Sequence, residues 1–138
     1  MPFEMVYLYI NVNQTFGIGT SHEFALNWLL EGPESGYMPY PTTSQSISIG
    51  WDLGIEFGLG FGRFIGQIEN IRMSQLFGNR SAISLSPPGM PFSGGGSLSY
   101  NEMGLRWETI NFGVSFGLSQ ITGYGRYEQG YTFPLYNY

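Results

Sequence analysis

Ser46 to Arg63, SISIGWDLGIEFGLGFGR, is the stretch that decides the fold. Its odd positions are Ile47, Ile49, Trp51, Leu53, Ile55, Phe57, Leu59 and Phe61; the even positions before Arg63 carry only Ser, Gly, Asp52 and Glu56. An extended chain sends successive side chains to opposite faces, so this is a strand with one apolar face backed by a small or acidic one. A helix competes, because Gly50, Gly54, Gly58, Gly62 and Gly66 fall four apart, the spacing of a packing ridge between membrane helices. Each glycine would cost that helix up to about 1 kcal/mol against alanine. Asp52, Glu56 and Arg63 would each add about 2.5–3.5 kcal/mol at a bilayer centre. A second segment, Ile110-Asn-Phe-Gly-Val-Ser-Phe-Gly-Leu-Ser119, repeats the Ile55–Gly62 pattern with its two-residue period and only one GxxxG, Gly113 with Gly117. The strand reading stands.

Upstream, Met5 to Gly19 alternates too, with Val6, Leu8, Ile10, Val12, Phe16 and Ile18 on one face and Gln14 as the interruption. β-branched and aromatic residues dominate, and the length predicts a bend or bulge midway. Thr20-Ser-His-Glu23 fits a capping box, and the apolar residues that follow, stopped by Gly32-Pro33, predict a short helix near residues 22–31, buried against a sheet or plugging a barrel end. Gly32 to Gln45 reads as a loop carrying Tyr37 and Tyr40.

Downstream, Gln67 to Phe77 keeps no strict register, and Ser81 to Ser86 resumes alternation. Residues 87–96, Pro-Pro-Gly-Met-Pro-Phe-Ser-Gly-Gly-Gly, predict a flexible loop. Trp107-Glu-Thr-Ile-Asn-Phe-Gly echoes Trp51-Asp-Leu-Gly-Ile-Glu-Phe-Gly58 one residue shorter, which suggests two related hairpins. The tail alternates through Tyr127, Tyr131, Phe133 and Leu135, with Pro134 marking an edge strand or the last turn of the sheet. The expectation is one β-rich domain over 1–138, all-β and mainly antiparallel. It is a small barrel or sandwich of about seven or eight strands with the one helix.

Composition narrows the function. The chain has 138 residues, 21 of them Gly, with 17% aromatic and only 11% charged residues, a balance that folds rather than stays disordered. The net charge of −5 argues against nucleic acid, whose phosphates demand a basic surface. With no cysteine there is no disulfide, no thiolate-held zinc and no thiol nucleophile.

Candidate chemistry is sparse. His22, the single histidine, has no nucleophile and acid marked nearby, and at a helix start it would simply meet solvent. Asp52 and Glu56 share the glycine face about 13 Å apart along a strand, beyond the roughly 5–9.5 Å of a glycosidase pair. Glu108 could close that gap if two related hairpins face each other; pairing with Arg63, Arg106 or Arg126 is the commoner fate. Gly58-Leu-Gly-Phe-Gly62 lacks the spacing and following helix of a phosphate loop. Tyrosines could stack on sugar rings, sit at a membrane boundary or form cross-strand pairs.

The alternation with tyrosines, the glycine content and the final Tyr138 resemble small outer-membrane barrels. The texture of FGLGFG and FGVSFGLS is similar to the carboxy-terminal domains of Rhs-type polymorphic toxins. Neither resemblance assigns a role to any residue.

Three function classes follow. The first is a non-catalytic Gly- and aromatic-rich β-domain with a structural, self-assembling or membrane-contacting role. The second is a soluble barrel or sandwich that binds a hydrophobic or carbohydrate ligand. The third is a secreted toxin or effector domain with an acidic cleft. The first predicts no catalytic residue, metal or cofactor, and a ligand-binding or interface set of Tyr7, Tyr9, Tyr37, Tyr40, Trp51, Asp52, Glu56, Trp107 and Glu108. Its expected partners are a second copy, another protein or a membrane, in the cell envelope or outside the cell. A period of two says nothing about which face is buried.

Overall fold

A computed structural model describes residues 3–67, 69, 71, 76–85, 92–102, 104–117 and 125–135, with the side chains of Asp52 and Phe116 excepted. Among the described residues the chain is an antiparallel β-barrel of six strands: β1 (Met5–Leu29), β2 (Tyr40–Phe64), β3 (Gly78–Leu85), β4 (Phe92–Asn101), β5 (Gly104–Gly117) and β6 (Gly125–Pro134). The sheet order β1-β2-β5-β4-β3-β6 closes through an added β2–β6 pairing.

Closure depends on the two 25-residue strands. A straight strand of that length would span roughly 80 Å. Instead the amide of Leu30, just past one end of β1, donates to the carbonyl of Glu4, just before the other, at 2.8 Å. Side chains of Asn11 and Ser21 exchange hydrogen bonds at 3.0 and 3.1 Å. β1 therefore doubles back, at Gly17, whose φ of 79° is open to glycine and costly for other residues. β2 turns a matching corner between Gly50 and Gly54. Its residues 42–50 pair with β6, and its residues 54–64 pair with β5. Each long strand thus serves as two limbs of the wall, so six strands do the work of the seven or eight expected.

The helix expected near residues 22–31 is not formed. Residues 22–29 continue β1, and His22 to Asn27 pair with Tyr40 to Gln45. Apolar residues lie on both faces of this segment, which mimics a helix buried all round. In fact Phe24 and Leu26 face outward while Ala25 and Leu29 fill the interior. Glu23, read as a capping residue, turns inward to Arg80 at 3.4 Å. The barrel end is plugged instead by Ile71 and Leu76, which lie between β2 and β3 in the chain and are buried against Met5, Leu29, Phe64 and Trp107.

Two further expectations change. Of the Pro/Gly segment 87–96, residues 87–91 lie outside the described residues, while 92–96 form the first half of β4 and pair with β5. Of the two readings of Pro134 the edge strand falls, β6 being paired with β2 on one side and β3 on the other, while Pro134 does end the last described strand of the sheet. Ser86 and Tyr138 also lie outside the described residues.

Candidate functional site: an inverted barrel wall and its charged lumen

The apolar stripe of every long strand faces out. Leu8, Ile10, Ile18, Phe24, Ile47, Ile49, Ile55, Phe57, Ile83, Ile110 and Phe112 are all exposed on the outer wall. Beyond the apolar cluster at the plugged end the interior is polar instead, lined by Asn11, Asn13, Thr15, Ser21, Ser44 and Ser48 together with Glu56, Arg80, Arg126 and Glu128. A soluble monomer's largest apolar patch covers roughly 300–600 Å²; here apolar side chains recur around the whole circumference.

The lumen is layered along its axis. At the end where β1 begins, large rings fill the space left by the glycine face of β2. Tyr7 lies against Gly60, its direct cross-strand partner, so closely that a Cβ there would sit 2.0 Å from the ring. Met5 and the Trp107 ring occupy the space in front of Gly62. At Gly60 and Gly62 the glycine face is thus a pocketed inner surface that large residues occupy, whereas Gly58 lies against the backbone of β5.

A run of alternating charge crosses the middle. Glu23 meets Arg80 at 3.4 Å, and Arg80 meets Glu128 at 3.1 Å. Glu128 accepts from Nε of Arg126 at 2.6 Å, and Arg126 approaches Glu56 at 3.7 Å. Glu56 also accepts from the Tyr9 hydroxyl at 2.5 Å and from Ser84 at 3.4 Å. Burying charge is tolerable only when each group is paired and hydrogen-bonded, and this chain meets that condition with residues from β1, β2, β3 and β6. Toward the far end, amides and hydroxyls take over: Thr15 and Ser48 share a hydrogen bond at 2.5 Å, and Asn13 donates to Asn11 at 3.3 Å.

The residues singled out from sequence separate by position in the wall. Tyr7, Tyr9, Glu56 and Trp107 all face inside; Tyr7, Tyr9 and Glu56 are neighbours there, while Trp107 lies in the plugged end against Phe64. Tyr40 is partly buried at the plugged end, donating to the Glu34 carbonyl at 2.8 Å. Tyr37 is 99% exposed on the β1–β2 loop, and its carbonyl accepts from the Trp28 indole at 3.1 Å. Trp51 is 53% exposed on the outer wall and meets Phe16 edge-on at 6.3 Å, whereas Trp107 is 0% exposed inside. The two tryptophans face opposite ways because the echo between their segments is one residue short, and a one-residue slip reverses the face. The echoing segments are neighbouring limbs, Ile55 opposite Phe116 and Leu59 opposite Phe112, rather than two hairpins facing each other.

Glu108 accordingly does not approach Glu56. It points outward and pairs with Arg63 at 3.4 Å. Asp52 pairs through its backbone with Thr15, and its side chain lies outside the described residues. Sequence reading missed Glu23, Arg80, Arg126 and Glu128 as one network. The available signal was charge at inward positions of strands, where an isolated ion is unaffordable.

Among the described residues, no group of three or more His, Asp or Glu side chains could hold a metal. A cavity of about 30 Å³ lies beside Tyr7, Glu23 and Arg80, room for about one water. No described helix is long and apolar enough to cross a membrane, a test that does not address strands. Comparison with known proteins finds no matching family model, curated protein or solved structure.

Proposed function

We propose that this chain is a membrane-embedded β-barrel with a structural or assembly role and a filled lumen. The observation that carries the reading is the inversion of the wall: apolar side chains outside, polar and charged ones inside. In hydrocarbon every backbone polar group must be satisfied within the protein, and a closed barrel does so. The limbs of β1 and β2 run about a dozen residues each, against the 9–11 a tilted strand needs to cross a bilayer. Aromatic residues stand at both ends, Phe16 with Trp51 at one and Trp28 with Tyr37 at the other, as in the interfacial girdles of spanning barrels. The Arg63–Glu108 pair lies toward the plugged end, off the middle of the apolar band.

The filled interior favours a closed body over a channel, and a cavity the size of one water gives little support to an internal ligand. Glu56, buried and approached by Arg126, gives equally little to an acidic cleft open to substrate. The test is reconstitution of the full chain into liposomes. It should float with lipid, resist alkaline extraction and leave a trapped small dye inside. A chain that stays soluble and monomeric without detergent and does not float would refute the proposal.

A further inference from the structure

On one side the outer wall breaks its apolar pattern. The second limb of β1, the first limb of β2, and β6 turn His22, Gln45 and Gln129 outward around Ile47. Thr20 and Asn79 complete a hollow of about 430 Å³. The grouping follows from register: His22 lies opposite Gln45, Gln45 opposite Tyr131, and Ile47 opposite Gln129. Exposed Ile18 and Ile49 flank it on one side, and exposed Phe24 and Phe133 on the other, so the polar group sits within the apolar band rather than at a rim. Gln129 donates to the Tyr100 hydroxyl at 3.3 Å, which leaves its carbonyl oxygen available.

We infer that this hollow is where a second copy of the same chain docks, about a two-fold axis through the wall near Ile47. The inference rests on the membrane-embedded reading, since in water these side chains would need no partner. Unpaired amides and an imidazole facing hydrocarbon each carry a desolvation cost that only a hydrogen-bonding partner removes. The hollow has no charged lining residue, so that partner must offer neutral donors and acceptors together. Glutamine and asparagine are both donor and acceptor, and neutral histidine is too, so the patch is chemically complementary to itself. A two-fold contact places the same patch on both subunits. Tyr131, half exposed at the edge and stacked on Phe133 at 6.1 Å, is the projecting group that enters the partner's hollow.

The absence of cysteine allows single-cysteine reporters. Ile47→Cys lies in the hollow; Phe112→Cys lies on β5, exposed on the far side of the wall. In liposomes at low protein-to-lipid ratio, mild oxidation should cross-link Ile47→Cys to a dimer at least tenfold more than Phe112→Cys. Adding His22→Leu and Gln45→Leu should lower that yield at least tenfold while circular dichroism stays β-type. Equal yields at the two reporters, a yield unmoved by the leucine pair, or a ladder beyond dimer would overturn the pairing. Flotation of the same samples separates the two ideas. Floating without cross-linking defeats the pairing alone, and failure to float defeats the membrane reading and the pairing with it.

Discussion

Arg126→Met tests whether the lumen is held together by its alternating charges. Among the described residues the network has three carboxylates, Glu23, Glu56 and Glu128, against two guanidiniums, Arg80 and Arg126, a balance of −3 + 2 = −1. Removing Arg126 makes it −2. Glu128 then keeps Arg80 at 3.1 Å, and Glu56 keeps only the hydroxyls of Tyr9 and Ser84. Breaking a buried pair by deleting one partner costs about 3–5 kcal/mol, because the remaining ion stays buried uncompensated. The upper part of that range is expected here, since one guanidinium serves two carboxylates. Glu56→Gln added to Arg126→Met returns the balance to −1 and should recover at least about 1 kcal/mol, a non-additivity typical of groups in one network. Arg63→Met is the control. Its pair with Glu108 is largely exposed, and such pairs are worth about 0–1 kcal/mol. Urea unfolding in lipid, followed by tryptophan fluorescence, measures all four proteins. An Arg126→Met cost no larger than that of Arg63→Met, or a double variant no better than the single, would refute the reasoning.

Two other expectations follow from the wall. Ile10→Arg puts a cation on the outer face midway along the first limb of β1 and should cost about 2–4 kcal/mol in a bilayer, as lipid-facing arginines do near the midplane; an unchanged unfolding midpoint in lipid would count against a hydrocarbon-facing surface. Gly60→Ala should cost about 1–3 kcal/mol, since its Cβ would fall 2.0 Å from the Tyr7 ring. The same substitution made in a Tyr7→Ala background should be much cheaper, and equal costs in both would show that the ring is not what the glycine accommodates.

The architecture is legible because a period of two survives in nearly every segment, and Ser46–Arg63 together with its echo at Ile110–Ser119 favours a strand over a helix. The direction of the wall is not, because alternation is symmetric. The same Ile55, Phe57 and Leu59 suit a dry core or a lipid surface until the barrel closes around Glu56. Residues 20–31 misled for a related reason. With Ala25 and Leu29 inside and Phe24 and Leu26 outside, their apolar residues wrap both faces, and periodicity loses its contrast. The charged network could not be assembled from sequence because its members lie far apart in the chain, Glu23 from Arg80 and Arg80 from Glu128, and only the β3–β6 pairing gathers them. His22 shows the reverse. At a helix start it would be an ordinary solvated residue, and only the apolar wall around it makes its imidazole exceptional.

The way the ring is shut has a consequence for biogenesis. β1 and β2 can zip together as soon as both are made, their pairing running without interruption from Met5 opposite Gly62 to Asn27 opposite Tyr40. β6 joins Thr42 to Pro134 and Gly78 to Thr132, so the seam waits until β6 has been made. Until then the first limb of β2 and the outer side of β3 are bare edges with unpaired amides and carbonyls, which hydrocarbon does not tolerate. If the barrel is membrane-embedded as proposed, insertion and ring closure must be one concerted event, and a chain halted before Gly125 would be a species suited to chaperones rather than to lipid.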